Sequence, residues 1–221
     1  AAVQEGRVVF DNIRKVILFL IPTGFSIVLV VLASILLGLP LPFLPAQVIW
    51  INLVTNGLQD VAMAFEPAEG DVTKRPPRDP REGILTRPMI ERAVVVGVVL
   101  AVGTLGLFVW ELSMGVGLVE ARTIALTTMV LFQNFHVFNT RSFTRPFFAI
   151  NPLSNPLLFT SILAALGLHV VALYFPPLQS ILRTVPLSPE TWLIMVAVAS
   201  TVLWAVEIDK VVRMVTSRAA I

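Results

Sequence analysis

Residues Pro45–Phe65 read PAQVIWINLVTNGLQDVAMAF, an apolar stretch of membrane-spanning length that is interrupted by polar side chains. A transmembrane helix needs about 20 mainly apolar residues. A spanning segment without strand-like alternation must be helical, because the bilayer core offers the backbone no other hydrogen-bond partners. The stretch therefore predicts a transmembrane helix that carries polar groups inside the membrane.

The rest of the chain has the same character. Of its 221 residues, 56% are apolar and 14% are charged, and it contains no cysteine. Soluble domains carry about 25% charged residues, so this composition excludes an ordinary soluble domain, and the lack of cysteine excludes a disulfide scaffold. We predict an all-α polytopic membrane protein, a bundle of six transmembrane helices. The predicted spans are about 16–39, 45–65, 89–110, 119–138, 153–175 and 189–206.

The basic residues predict how the bundle is oriented. Of 16 Lys and Arg residues, all but Arg122 and Arg183 fall at the termini, in the loops 66–88 and 139–152, or at the loop junction with the third span. Because Lys and Arg concentrate in cytoplasmic loops, both termini are predicted to be cytoplasmic, with Trp204 near the inner interface. The expected partner is the lipid bilayer, and no nucleic-acid partner is predicted.

This orientation divides the chain into three parts. Residues 1–15 form a cytoplasmic stalk, residues 16–209 a transmembrane domain, and residues 210–221 a cytoplasmic tail. The sequence opens on Ala1 rather than on methionine, so we expect a longer parent chain.

One face of the second predicted helix carries the candidate site. The polar residues follow each other at i, i+3, i+4, i+7 and i+8: Asn52, Thr55, Asn56, Gln59 and Asp60. An intramembrane carboxylate indicates a functional site, and stacked oxygen-bearing side chains can replace the hydration shell of a cation. We expect local unwinding at the Asn56–Gly57 pair to free backbone carbonyls as further ligands. The alternative is that these groups only join helices through hydrogen bonds.

Further residues inside the predicted spans are candidates for either site or packing roles. Pro22 removes a backbone donor and exposes the carbonyl one turn earlier, which is consistent with a packing kink or with the lining of an ion path. Gln133 is a candidate cation ligand, whereas His136 and His169 are expected to be hydrogen-bonded packing residues. Glycines of the third span predict close helix packing: Gly97, Gly103 and Gly106. We predict no catalytic residues, because no nucleophile with an adjacent base, phosphate-binding glycine loop or zinc cluster is present.

The segment Trp50–Leu58, WINLVTNGL, resembles the sixth membrane helix of the type-II P-type ATPases, the calcium and sodium/potassium pump family. The match extends to Glu5-Gly6-Arg7 with Asp11-Asn12, which is similar to the stalk before the fifth helix. It also includes Arg75-Pro76-Pro77-Arg78 followed by Pro80 and Glu82, which is similar to the loop between the sixth and seventh helices.

The resemblance implies that the six spans correspond to the fifth to tenth helices of a ten-helix pump. The parent would supply the first four helices and the actuator, phosphorylation and nucleotide domains, and it would use ATP and Mg²⁺. This part of the chain alone would not be catalytic. The loop that contains Arg75, Pro76, Pro77 and Arg78 would couple the phosphorylation domain to the ion site.

The resemblance also assigns ligands position by position. Asn52 and Thr55 match coordinating positions of calcium pumps. Asn56 and Gln133 stand where the family has an aspartate and a glutamate, and Ile27 stands where its fifth helix has a glutamate. Because calcium affinity rises with the number of carboxylates, the sequence favours a single site, with Asn52 and Asn56 as its metal ligands.

Gln59 and Asp60 extend this candidate site by one helical turn. The transported cation is expected to be Ca²⁺, with Na⁺ as the alternative, and the expected location is the plasma (inner) membrane. Two other functions fit the composition: a free-standing six-helix channel or secondary transporter, and a non-catalytic membrane scaffold.

Overall fold

The computed structural model describes residues 2–70 and 83–219, with side chains as far as Val215, and this part of the chain is helical without strands. The α-helices are α1 (Ala2–Leu36), α2 (Pro45–Ile51), α3 (Gly57–Met63), α4 (Arg87–Ser113), α5 (Leu118–Thr140), α6 (Pro156–Tyr174), α7 (Pro176–Leu182) and α8 (Pro189–Ala219). A π-helical segment, Asn52–Asn56, joins α2 to α3, and two short 3₁₀ turns, Phe147–Ala149 and Pro152–Ser154, precede α6.

Within the described ranges, four helices are long and apolar enough to cross a membrane: α1, α4, α6 and α8 as far as Val215. They correspond to the first, third, fifth and sixth predicted spans. The second predicted span is divided at the π-helical segment, so neither α2 nor α3 has spanning length by itself. The fourth predicted span corresponds to α5, which is long enough but more polar.

Some helices extend beyond the predicted spans. The predicted stalk continues into the membrane as one helix, α1, and α8 likewise runs on into the predicted tail. The short helix α7 was not predicted. It begins with two prolines, and Arg183, directly after its last residue, has a left-handed φ of 52°. The proposed coupling residues Arg75, Pro76, Pro77 and Arg78 lie outside the described residues.

Helix α5, which carries amide, hydroxyl and imidazole side chains, lies at the centre of the bundle. It is buried along almost its whole length and packs against α1, α2, α4, α6 and α8. Polar side chains can occupy the centre of a helical membrane protein because they bond to neighbouring helices there instead of facing lipid.

Glycines allow two close contacts of α4, as predicted. A methyl group on Gly97 would lie 2.5 Å from the ring of Phe25 in α1, and one on Gly103 would lie 2.5 Å from the ring of Phe132 in α5. The third glycine of this helix, Gly106, has open space at the same position and does not serve packing.

Candidate intramembrane cation site

The helix that carries the candidate site widens at its centre. Pro45 begins α2, and the N–H of Gly57 donates to the carbonyl of Asn52, which is the i→i+5 bond of a π-helix. The expected unwinding at Asn56–Gly57 is therefore wrong: both residues keep helical dihedral angles. A π-helical turn alters the helix while still satisfying its backbone groups, as the membrane interior requires.

One row of the polar residues faces α5. The buried Thr55 hydroxyl lies 2.6 Å from the carbonyl of Ile51 and also makes a close contact with Oε1 of Gln133. One turn further on, Nε2 of the buried Gln59 donates to Oδ1 of Asn134 at 2.8 Å. The structure therefore brings Gln133 together with Thr55, and it pairs the two helices through amide and hydroxyl groups.

The second row lies on the neighbouring edge of the same helix. Nδ2 of Asn56 donates to Oδ1 of Asn52 at 2.9 Å, and Nδ2 of Asn52 donates to the carbonyl of Val48. Asn56 is buried, Asp60 is partly exposed and Asn52 is exposed. The five residues thus divide between two edges of the helix, because positions i, i+4 and i+8 form one row and positions i+3 and i+7 another.

Three oxygen atoms of this helix lack a hydrogen-bond partner. Oδ1 of Asn56, Oε1 of Gln59 and Oδ1 of Asp60 are buried, and no donor among the described residues reaches them. Buried acceptors are normally satisfied, so each of these three oxygens is available to a cation or to an ordered water.

The donor set is poor in charge. Among residues 2–70 and 83–219, no three His, Cys, Asp or Glu side chains come together in a way that could hold a metal ion. The three unpaired atoms are two amide oxygens and one carboxylate oxygen, and oxygen atoms are the ligands that hard cations prefer.

Sequence reasoning left Asn134 out of the candidate site, although Asn134 accepts a hydrogen bond from Gln59. Asn134 follows Gln133 directly in α5, and its own Nδ2 donates to the carbonyl of Val130 at 2.8 Å. Adjacent amides inside a predicted membrane span were the available signal, since each buried amide needs a partner.

Two buried histidines hold the surrounding helices together. His169 in α6 accepts from Nε1 of Trp50 at 3.2 Å and donates to the hydroxyl of Thr127 at 3.0 Å. Because the indole nitrogen can only donate, the proton of His169 is on Nε2. The packing role predicted for this residue agrees with these contacts.

The second histidine, His136, contacts a backbone carbonyl of α1 that Pro22 leaves without its helical hydrogen bond. A proline leaves the carbonyl four residues earlier without its helical donor, and here that carbonyl belongs to Leu18. Nε2 of His136 lies 3.3 Å from this oxygen, and the imidazole stacks on Phe19 with ring centroids 5.9 Å apart. The exposed carbonyl is thus used for packing between α1 and α5.

Helices of spanning length around a buried polar cluster define an integral membrane protein with a candidate cation site. The chain belongs to the family of cation-transporting ATPases, since the family model described as "Cation transporting ATPase, C-terminus" matches residues 40–212.

Individual relatives agree with this assignment. The chain is 39% identical over 201 residues to the "Calcium-transporting ATPase" of Bacillus subtilis, a match that covers 90% of the chain and 22% of the relative. It is 37% identical to "Probable cation-transporting ATPase F" of Mycobacterium tuberculosis, with 95% and 23% covered. It is 30% identical to human "Calcium-transporting ATPase type 2C member 1", again with 95% and 23% covered. The chain therefore spans a little over a fifth of the length of these relatives.

Proposed function

We propose that this chain is the ion-translocating membrane half of an ATP-driven cation pump and that the cation is Ca²⁺. The observation that carries the proposal is the group of unpaired oxygens of Asn56, Gln59 and Asp60 beside a π-helical turn. Two of the three relatives described above are named as calcium transporters, which favours Ca²⁺ over Na⁺.

The oxygens of this chain form an incomplete calcium shell. Ca²⁺ takes six to eight oxygen ligands, and the helix that carries Asn56, Gln59 and Asp60 offers three unpaired side-chain oxygens. Asn52 is exposed at the edge of the cluster, so the remaining ligands would come from the parent's fourth helix packed on that edge. When the ion binds, Oδ1 of Asn52 would give up its hydrogen bond from Asn56 and coordinate the ion instead.

The proposed topology has six crossings and both termini in the cytoplasm. Its support is that the ends assigned to the cytoplasm bond to one another. Lys15 pairs with Glu69 at 3.0 Å, and Arg92 pairs with Asp209 at 2.7 Å. The carbonyl of Arg145 accepts from Nζ of Lys210 at 2.9 Å. The plasma membrane is the proposed location because calcium extrusion requires a pump there.

The parent would bind ATP and Mg²⁺ in domains that precede this chain, and the predicted coupling loop around Arg75 and Arg78 would transmit the phosphorylation state to the ion site. The chain itself would contribute ligands and the path, without catalytic residues.

The test is cation-dependent phosphorylation of the full-length protein by ATP. Asn52→Ala and Asn56→Ala should each abolish Ca²⁺-dependent phosphoenzyme, whereas Gln133→Ala should weaken it less because Gln133 acts through Thr55. Thr201→Ala is the control, since this exposed hydroxyl bonds only within α8.

The alternatives give different results in the same system. Equal phosphorylation of wild type and all the cluster variants would contradict the proposed site. ATP-independent transport by the chain in liposomes would indicate a free-standing channel or secondary transporter. Unchanged function after Asn52, Asn56 and Asp60 are all replaced by Leu would indicate a scaffold.

A further inference from the structure

A basic cavity of about 400 Å³, which shares no lining residue with the polar cluster, lies where α1, the start of α4 and the last turns of α8 meet the segment after α5. Its volume is within the range of small-molecule sites. Four cationic residues line it, and its lining contains no carboxylate: Arg14, Arg92, Lys210 and Arg213.

Acidic residues outside the cavity lining pair with three of these cations. Arg92 and Arg213 both bond to Asp209, at 2.7 and 2.8 Å, and Lys210 bonds to Glu207 at 2.9 Å. The acids hold these side chains in place, and the charged groups of the lining itself are all cationic.

Arg14 differs from the other three. Its guanidinium donates to the sulfur of Met89, at 3.1 and 3.3 Å, and lies 5.2 Å from the ring centroid of Phe143. No carboxylate among the described residues pairs with it. A half-buried guanidinium held by sulfur and aromatic groups keeps its charge available for an anion, and its planar donors suit a phosphate.

The remaining surroundings are mostly apolar, apart from Thr86 and Thr144 in the cavity and Glu207, the partner of Lys210, in the adjoining groove. Met89, Phe143 and Met214 form cavity walls. The cavity shares Thr144, Lys210 and Met214 with an apolar groove of about 310 Å³, which runs along α8 to Trp204. Trp204 is 60% exposed, as an aromatic side chain at a membrane interface commonly is.

We propose that this cavity binds the phosphate headgroup of an anionic phospholipid, with an acyl chain in the adjoining groove. The charge of the lining selects an anion, and the apolar groove beside it selects an amphiphile over free phosphate. Basic pockets between transmembrane helices are suited to anionic headgroups. The proposal goes beyond the pumping function and does not depend on which cation is moved.

The experiment is native mass spectrometry of the full-length protein in detergent, titrated with phosphatidylglycerol or with phosphatidylcholine. Wild type should retain one phosphatidylglycerol at concentrations at which phosphatidylcholine is not retained. Arg14→Gln should weaken phosphatidylglycerol binding about fivefold, which is the effect of one basic residue near an anionic lipid. Arg14 is the suitable position because its loss leaves no carboxylate unpaired.

Three controls separate charge from structure. Arg14→Lys keeps the charge but loses the planar donors, so its affinity should lie between those of wild type and Arg14→Gln, whereas a purely structural role would make it as weak as Arg14→Gln. Arg87→Gln removes a cation at the start of α4 that is not part of the cavity lining, and it should not change phosphatidylglycerol binding. Thermal unfolding of each variant checks that it is folded.

Two results would overturn the proposal. One is equal retention of phosphatidylglycerol by wild type and Arg14→Gln. The other is that inorganic phosphate displaces the lipid, and does so at the same phosphate concentration from wild type as from Arg87→Gln. The site would then recognise free phosphate rather than a lipid. Neither result bears on cation-dependent phosphorylation, so the two proposals can fail separately.

Discussion

At the scale of single residues, the contact between α1 and α5 shows how a side chain of one helix completes the backbone of another. Pro22 leaves the carbonyl of Leu18 without a helical donor, and His136 approaches it from α5. A buried carbonyl without a donor costs about 1–3 kcal/mol, so we expect the pair to contribute to stability rather than to ion binding.

We predict that His136→Phe, which keeps a ring on Phe19, lowers the free energy of unfolding by about 1–3 kcal/mol. In a Pro22→Ala background the new N–H can donate to Leu18, so the same substitution should cost clearly less. Thermal unfolding of the full-length protein in detergent measures both. An equal loss in the two backgrounds would contradict the assigned role of His136.

At the scale of helices, α4 shows that glycines in one helix are not equivalent. Gly103 lies against Phe132, whereas Gly106, three residues later, meets open space. Both would be described as members of one small-residue face from the sequence, since they are neighbours on a helix. Only contact with α5 distinguishes them.

Gly103→Ala should therefore destabilise the protein by about 1–3 kcal/mol, the usual cost of overpacking a filled contact. Gly106→Ala, in the same helix, should be neutral or stabilise by up to about 1 kcal/mol because alanine favours the helix. The unfolding temperatures of the two variants in detergent provide the comparison. Similar destabilisation by both would show that the loss comes from the helix itself and not from the Phe132 contact.

At the scale of the whole molecule, a buried polar network joins four parts of the chain at one end of the bundle. Nε of Arg141 donates to Oε1 of Glu66 at 2.8 Å, and both side chains are nearly inaccessible. Nδ2 of Asn155 donates to Oε2 of Glu66 at 2.8 Å. Nδ2 of Asn12 donates to the backbone carbonyl of Glu66 at 2.9 Å. The network thus holds the segment after α3 against α1, α5 and the start of α6.

Arg141→Met should cost about 3–5 kcal/mol, because it leaves the carboxylate of Glu66 buried without its charge partner. Arg87→Met is the matched control: its pair with Glu91 is largely exposed, and such pairs contribute about 0–1 kcal/mol. Denaturant unfolding of the full-length protein measures both losses. The double variant Glu66→Leu/Arg141→Met should recover part of the stability, and equal losses for Arg141→Met and Arg87→Met would contradict the importance of the network.

Sequence reasoning succeeded where the information is local and failed where it depends on a partner. Four spanning helices, the glycine contacts of Gly97 and Gly103, and the packing role of His169 follow from composition and helical spacing. The π-helical turn replaced the expected unwinding, and α7 was not predicted. The network around Glu66 and Arg141 was missed because Arg141 was considered only as a basic loop residue.

The amino-acid sequence by itself determined that this protein is helical and membrane-embedded and that Asn52, Thr55, Asn56, Gln59 and Asp60 lie close together, because apolar length and helical periodicity are properties of neighbouring residues. Only the tertiary structure decided that Thr55 and Gln59 bond to α5 while oxygens of Asn56 and Asp60 remain unpaired. It also decided that Arg14 and Lys210, nearly two hundred residues apart, line one cavity. The physical reason is that each polar group can form several hydrogen bonds, and the packing of distant helices selects among them.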